Sequence, residues 1–132
     1  MLLGLLLAGC SCGAQEHWRG LPEEPAAVLA AYQAGWEQRD AAAIRATFAG
    51  DVPGLPGPDY YAEIFAAVAA CRISPVVTAA TADGTDTWRV AVTETRTLQF
   101  TNGDSLTVAM PVAFTLARTA AGWKIVALRD PA

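Results

Sequence analysis

The apolar positions of this chain follow two different periods, and the change falls near residue 72. From Pro25, a residue suited to the first turn of a helix, Val28, Leu29, Tyr32 and Trp36 recur at helical spacing. Asp40 can end that region and cap a second helix, which carries Ile44, Thr47 and Phe48 on one side. The stretch Gly50 to Pro58 holds three prolines and three glycines and predicts a loop. Tyr61, Ile64, Phe65 and Val68 then fall at i, i+3, i+4 and i+7, a third helix that Asp59 is placed to cap.

After Cys71 the period becomes two. Residues 72–81 predict a strand, in which Pro75 implies an edge or a bulge. Asp83-Gly84 marks a turn, residues 87–100 a long strand, Asn102-Gly103 a second turn and residues 104–118 the next strand. In that strand Leu106, Val108, Met110, Val112, Phe114 and Leu116 point one way, and Pro111 again implies an edge or a bulge. Ala121-Gly122 turns the chain into a last strand, 123–129.

Helices followed by a meander of long strands predict an α+β domain, with three N-terminal helices packed on a curved antiparallel sheet of about four strands. Four segments carry a family resemblance: Ala27-Val28-Leu29-Ala30-Ala31-Tyr32, the joint Arg39-Asp40-Ala41-Ala42, the helix end Phe48-Ala49-Gly50-Asp51, and the closing strand Gly122-Trp123-Lys124-Ile125-Val126. Over roughly residues 25–130 the order resembles the nuclear transport factor 2-like superfamily. Its cone-shaped fold is shared with scytalone dehydratase, ketosteroid isomerase and SnoaL-type polyketide cyclases. The resemblance implies a cavity between the helices and the concave sheet, and a homodimer formed through the sheet. Catalytic members usually carry an Asp, or a His-Asp pair, in that cavity. A fold hosts many functions, so the resemblance does not choose among them.

Composition narrows the choice. The chain has 132 residues, of which 53% are hydrophobic and 17% charged, which suits one folded domain. Its net charge is −4 and its basic residues are scattered, which disfavours nucleic acid as a partner. No cofactor motif is present: no glycine-rich phosphate loop opens a helix. No metal site is expected, because Cys10-Ser11-Cys12 is too tightly spaced and the single histidine, His17, lies outside the predicted domain. A histidine-based nucleophile system lacks its base for the same reason.

The first nine residues are apolar and uncharged, too short to span a bilayer as a helix. They match the hydrophobic part of a secretory signal. Leu7-Ala8-Gly9-Cys10 resembles the lipobox of bacterial lipoproteins, which implies cleavage before Cys10 and diacylglyceryl attachment to its thiol. The sequence then divides into a signal at 1–9, a lipidated cysteine and flexible tether at 10–24, and a single domain at 25–130. The chain would sit in the cell envelope, held to the membrane by lipid on its periplasmic or extracellular face. The signal lacks the usual basic start, which predicts that translation begins upstream. Thiols outside the cytoplasm tend to pair. Cys12 and Cys71 therefore either form a disulfide, tying the tether to the end of the third helix, or remain free with Cys71 buried.

Chemistry concentrates in the strand 87–100. Trp88, Val90, Val92, Glu94, Arg96, Leu98 and Phe100 share one face, so Glu94 and Arg96 interrupt an apolar row. Unpaired charges there would cost several kcal/mol each. Three readings stay open: a bulge turns both into water, they form a partly buried ion pair, or they line the cavity mouth and bind a polar group. Tyr32, Trp36, Tyr61 and Phe65 are aromatics that line the cavity or simply fill the core. Glu94 is the one acid that the pattern turns inward, the candidate catalytic base, although a neighbouring guanidinium weakens a carboxylate in that role. The leading expectation is a non-enzymatic, lipid-anchored envelope domain binding a small ligand or another envelope protein. The alternatives are a small isomerase- or dehydratase-like enzyme using Glu94, and a dimerising accessory subunit.

Overall fold

The computed structural model describes residues 18–50, 52, 53 and 55–129. The expectations at Cys10, Cys12 and His17 lie outside these residues. Three helices, α1 (Glu23–Glu37), α2 (Ala41–Ala46) and α3 (Pro58–Ala67), precede four strands, β1 (Val68–Ala82), β2 (Thr87–Phe100), β3 (Ser105–Thr119) and β4 (Gly122–Arg129). The strands form one antiparallel sheet in the order β1-β2-β3-β4. The helices cover one face of it, as the change of period predicts.

Each helix boundary has a local cause. Glu23 and Glu24 sit in the first turn of α1, where the helix dipole favours negative charge. Its C-terminus closes on Arg39, which takes a left-handed φ of 55° where glycine is the usual choice. The Arg39 side chain donates to the Val68 carbonyl at 3.0 Å, a contact that glycine lacks. Asp40 caps α2 by accepting from the Ala43 amide at 3.1 Å. Asp59 does not cap α3: Gly57 holds the cap position, Pro58 follows, and Asp59 lies inside the first turn.

Gly35 sets how closely α1 and α2 approach. A Cβ there would lie 2.8 Å from Ile44 Cγ1 and 3.1 Å from the Ile44 nitrogen. Ile44 is fully buried and has no room to yield. Gly35→Ala is therefore expected to lower stability by about 1–2 kcal/mol, even though alanine gains up to about 1 kcal/mol in helix propensity. A urea midpoint at or above that of the parent protein would show that Ile44 adapts.

The third helix is shorter, and the first strand longer, than the periodicity suggests. Val68 is extended (φ −107°, ψ 122°) and opens β1. The Ala67 carbonyl accepts from the Thr101 amide at 2.9 Å and the Val68 carbonyl from Arg39, so tertiary contacts replace the next helical turn. Val68 is buried in either conformation, which is why the apolar pattern does not mark the switch. Cys71 consequently lies on β1 rather than at the end of a helix. It is buried and without a disulfide partner among the described residues, and its thiol is pushed upward in pKa chiefly by burial.

Among the described residues, Pro75 and Pro111 are both edge residues. Pro75 pairs in regular register with Glu94 on the edge strand β1, whose bulges lie elsewhere, between Val68 and Ala70 and between Val77 and Ala79. Pro111 lies two residues before Ala113, where the described pairing of β3 with β4 begins, so no described strand needs its missing N–H on that side. The outer edge of β1 is covered by α1: Gln33 Nε2 donates to the Ile73 carbonyl at 3.0 Å, and the Ile73 amide donates to Glu37 Oε2 at 3.0 Å. These two side chains satisfy the groups that a further strand would have met. On the opposite edge, the end of α2 bonds β4 through Ile125 N–H to the Thr47 carbonyl at 2.8 Å.

The core lies between α1, α2 and the concave sheet, around Leu29, Ile44, Phe114, Leu116 and Ile125. Trp18 belongs to it. Placed in the tether by the sequence pattern, it is 1% exposed, stands edge-on to Phe114 at 6.1 Å and donates to Gln33 Oε1 at 3.2 Å. The folded unit thus includes residue 18 and does not begin at 25. Leu106 and Val108 share the inward face with Phe114 yet are 47% and 37% exposed. Alternation identifies the face, but not how far the helices extend over it.

Candidate functional site

Glu94 and Arg96 lie side by side on the inward face of β2, as alternation requires. The register between β2 and β3 runs from Thr87 to Gln99 without a shift. That overturns the reading in which a bulge turns both charges into water. Glu94 is fully buried and the Arg96 side chain is 16% exposed.

Three groups fix the arginine. Its Nε donates to Glu94 Oε1 at 2.8 Å, and its Nη2 donates to the Tyr32 hydroxyl at 3.2 Å. The guanidinium lies over the Trp36 ring, 4.1 Å from the ring centroid. Tyr61 and Phe65 pack edge-on to Trp36 at 5.5 and 5.4 Å, so the ring has little freedom to leave. Burial, the largest single influence, would depress the Arg96 pKa, but the Glu94 charge and hydrogen bond, with Tyr32 and Cys71, together outweigh it and the net shift is upward. Burial, with the Glu94 charge adding to it, pushes the Tyr32 phenol far above its ordinary value, so it stays protonated. Burial also raises Tyr61. Among the described residues, Glu94 Oε2 and Trp36 Nε1 are buried without a hydrogen-bond partner.

A cleft of about 310 Å³ opens beside this cluster, lined by Tyr32, Arg96, Met110, Val112, Leu128 and Arg129, with Pro111 at its edge. It lies beside Arg129, the last described residue of β4, where the described pairing of β3 with β4 reaches Ala113. Of the residues singled out from sequence, Tyr32 and Arg96 reach its wall. Trp36 and Tyr61 lie behind the guanidinium, and Glu94 is behind it as well. The pattern missed Met110, Val112, Leu128 and Arg129 as wall residues, because alternation alone does not mark a cleft.

Larger concavities exist: about 450 Å³ over Ala70, Cys71, Arg72, Thr97 and Gln99, and about 410 Å³ between α1, α2 and Trp123. Neither has a buried charged side chain, so the smaller cleft is the better candidate for chemistry. Among the described residues no three His, Cys, Asp or Glu come together as a metal site. The arrangement supplies a positively charged, oriented donor at the base of an apolar cleft, with no carboxylate or imidazole among the described residues of its wall.

No protein-family model matches the chain, and no curated protein matches it. Solved structures do. One is a proposed dehydratase of the NTF2-like family from Streptomyces avermitilis, 20% identical over 81% of this chain and 92% of that one, with a TM-score of 0.65. Another is a ketosteroid isomerase-like protein from Erwinia carotovora atroseptica, 23% identical over 82% and 95%, with a TM-score of 0.61. A third is an NTF2-like superfamily protein from Salmonella enterica serovar Typhimurium, 15% identical over 80% and 87%, with a TM-score of 0.62. At these identities the likeness establishes the fold, the cone-shaped α+β architecture of NTF2-like proteins.

Proposed function

We propose that this chain is a lipid-anchored domain of the cell envelope that binds a small molecule in the cleft at Arg96 without converting it. The observation that carries the binding part is the guanidinium itself, clamped by Glu94, Tyr32 and Trp36 yet still reaching the cleft. Orienting a charged donor in advance lowers the cost of ordering it on binding. The described wall residues offer a guanidinium and a phenol rather than a carboxylate or imidazole, which supports binding, because proton transfer needs a base within reach of the substrate.

The anchor rests on Leu7-Ala8-Gly9-Cys10, with export to the periplasmic or extracellular face following from it. Acyl chains on one residue hold a protein to a bilayer at about 0.8 kcal/mol per buried CH₂. Cys10→Ala is accordingly expected to move the protein from the membrane to the soluble fraction and to abolish incorporation of labelled palmitate. Membrane retention of that variant would remove the anchor from the proposal. Native mass spectrometry of the detergent-extracted protein tests the rest: it reads the lipid on Cys10, a retained small molecule, and whether the chain pairs with a second copy.

The isomerase-like and dehydratase neighbours favour a second reading, a cavity reaction driven by a carboxylate. It requires Glu94 to leave Arg96 and reach the cleft. Turnover of a candidate substrate that Glu94→Gln abolishes, with the fold intact, would establish it over simple binding.

A further inference from the structure

We propose that the cleft takes a small organic carboxylate, its head on Arg96 and Tyr32 and its short apolar body along Met110, Val112 and Leu128. This rests on the reading of the cleft as a binding site and adds the class of ligand.

The donor geometry comes first. A guanidinium offers five N–H groups in one plane. In Arg96 the Nε–H is used by Glu94 and one Nη2–H by Tyr32, while Nη1 has no partner among the described residues. The Trp36 ring covers one flat face. A ligand must therefore approach in the plane, along the remaining Nη1 and Nη2 donors, which is the side-on approach that suits the two oxygens of a carboxylate. The protonated Tyr32 hydroxyl stands next to that edge and can donate as well.

Charge then selects the valence. Among the described residues, the cleft wall holds two arginines and no acid. Glu94 neutralises Arg96 from behind, which leaves Arg129, exposed at the rim, as the surplus positive charge among the described residues. One surplus charge matches a monoanion better than a phosphate dianion. A neutral ligand would leave the unused guanidinium donors desolvated and unpaired.

Size and wall chemistry select the body. About 310 Å³ is at the low end for small-molecule sites. Met110, Val112 and Leu128 offer apolar contact and no hydrogen bonds from their side chains. A short acyl chain or one aromatic ring fits that description.

The test titrates the detergent-solubilised full chain with hexanoate and benzoate, with hexanamide and benzamide, and with inorganic phosphate. Calorimetry gives affinities, while the Met110 methyl and Trp36 indole N–H resonances report the place. Each acid is expected to bind at least tenfold more tightly than its amide, to shift both resonances, and to weaken severalfold in Arg129→Ala. Arg96→Lys keeps a cation beside Glu94, and its circular dichroism checks that it folds. Lysine lacks the planar fork, so the acid-over-amide preference should fall about tenfold in that variant. Equal affinity for acid and amide, with Met110 still shifting, would overturn the carboxylate assignment and leave the binding site standing. Phosphate binding as tightly as either acid would reduce the site to one for bare anions and also overturn it. Full preference retained in Arg96→Lys would remove Arg96 as the recognising group. If no probe moves Met110, the cleft is not a binding site, and both the assignment and the reading beneath it fall.

Discussion

Arg96→Met is expected to destabilise the domain by about 3–5 kcal/mol, read as a lower urea midpoint at unchanged slope. The loss comes from what stays behind. Glu94 is fully buried, and among the described residues Arg96 supplies its one hydrogen bond. Without the guanidinium, both carboxylate oxygens are buried and unpaired. Tyr32 loses the donor to its hydroxyl, and Trp36 loses the cation over its face, a contact usually worth about 0.5–2 kcal/mol. Glu94→Leu should cost less, because Arg96 is 16% exposed and can turn toward water in the cleft. The double variant Glu94→Leu/Arg96→Met removes both charges and should recover to within about 1–2 kcal/mol of the parent protein. The cycle would then show a coupling of roughly 2–3 kcal/mol, as expected for groups in direct contact. Additive single effects would mean that the pair is not coupled in solution.

That pair also marks where sequence pattern stops. Alternation along 87–100 places Glu94 and Arg96 on the inward face and leaves three fates for them. Choosing among these needs Tyr32 and Trp36, which arrive from a helix about sixty residues earlier in the chain. A period of two carries no information about such a partner. The same limit applies to the cleft. Met110, Val112 and Leu128 read as ordinary inward residues, and nothing in their period shows that they line a cleft beside Arg129, where the described pairing of β3 with β4 reaches Ala113. Leu106 and Val108 expose the same fact from the other side: correct face, no cover. What depends on local chemistry was legible. Asp40 as a cap, the turns at Gly84, Gly103 and Gly122 with their positive φ, and the prolines at sheet edges all follow from one or two residues. Val68 was not, since the last position of a helical stripe and the first inward position of a strand coincided in one buried β-branched residue.

Trp18→Ala should be nearly as damaging as the loss of Arg96, at about 3–5 kcal/mol, although the residue precedes every regular element described. No helical or strand period reaches it, and its flanks Arg19 and Gly20 read as tether. Its ring nonetheless stands edge-on to Phe114 in the middle of the sheet, and its indole N–H meets Gln33 Oε1. Gln33 in turn donates to the Ile73 carbonyl, and Glu37 accepts from the Ile73 amide, so Trp18 steadies the side chains that cover the outer edge of β1. Trp18→Phe retains most of the apolar contact but leaves Gln33 Oε1 buried without its donor, which should cost about 1–2 kcal/mol. Urea midpoints rank the two variants, and amide hydrogen exchange at Ile73 separates the causes. If the strap depends on Trp18, exchange at Ile73 rises in both variants by more than global stability accounts for. If Trp18→Ala stays within about 1 kcal/mol of the parent protein, the residues before α1 are a passive spacer and the domain begins where the helical period does.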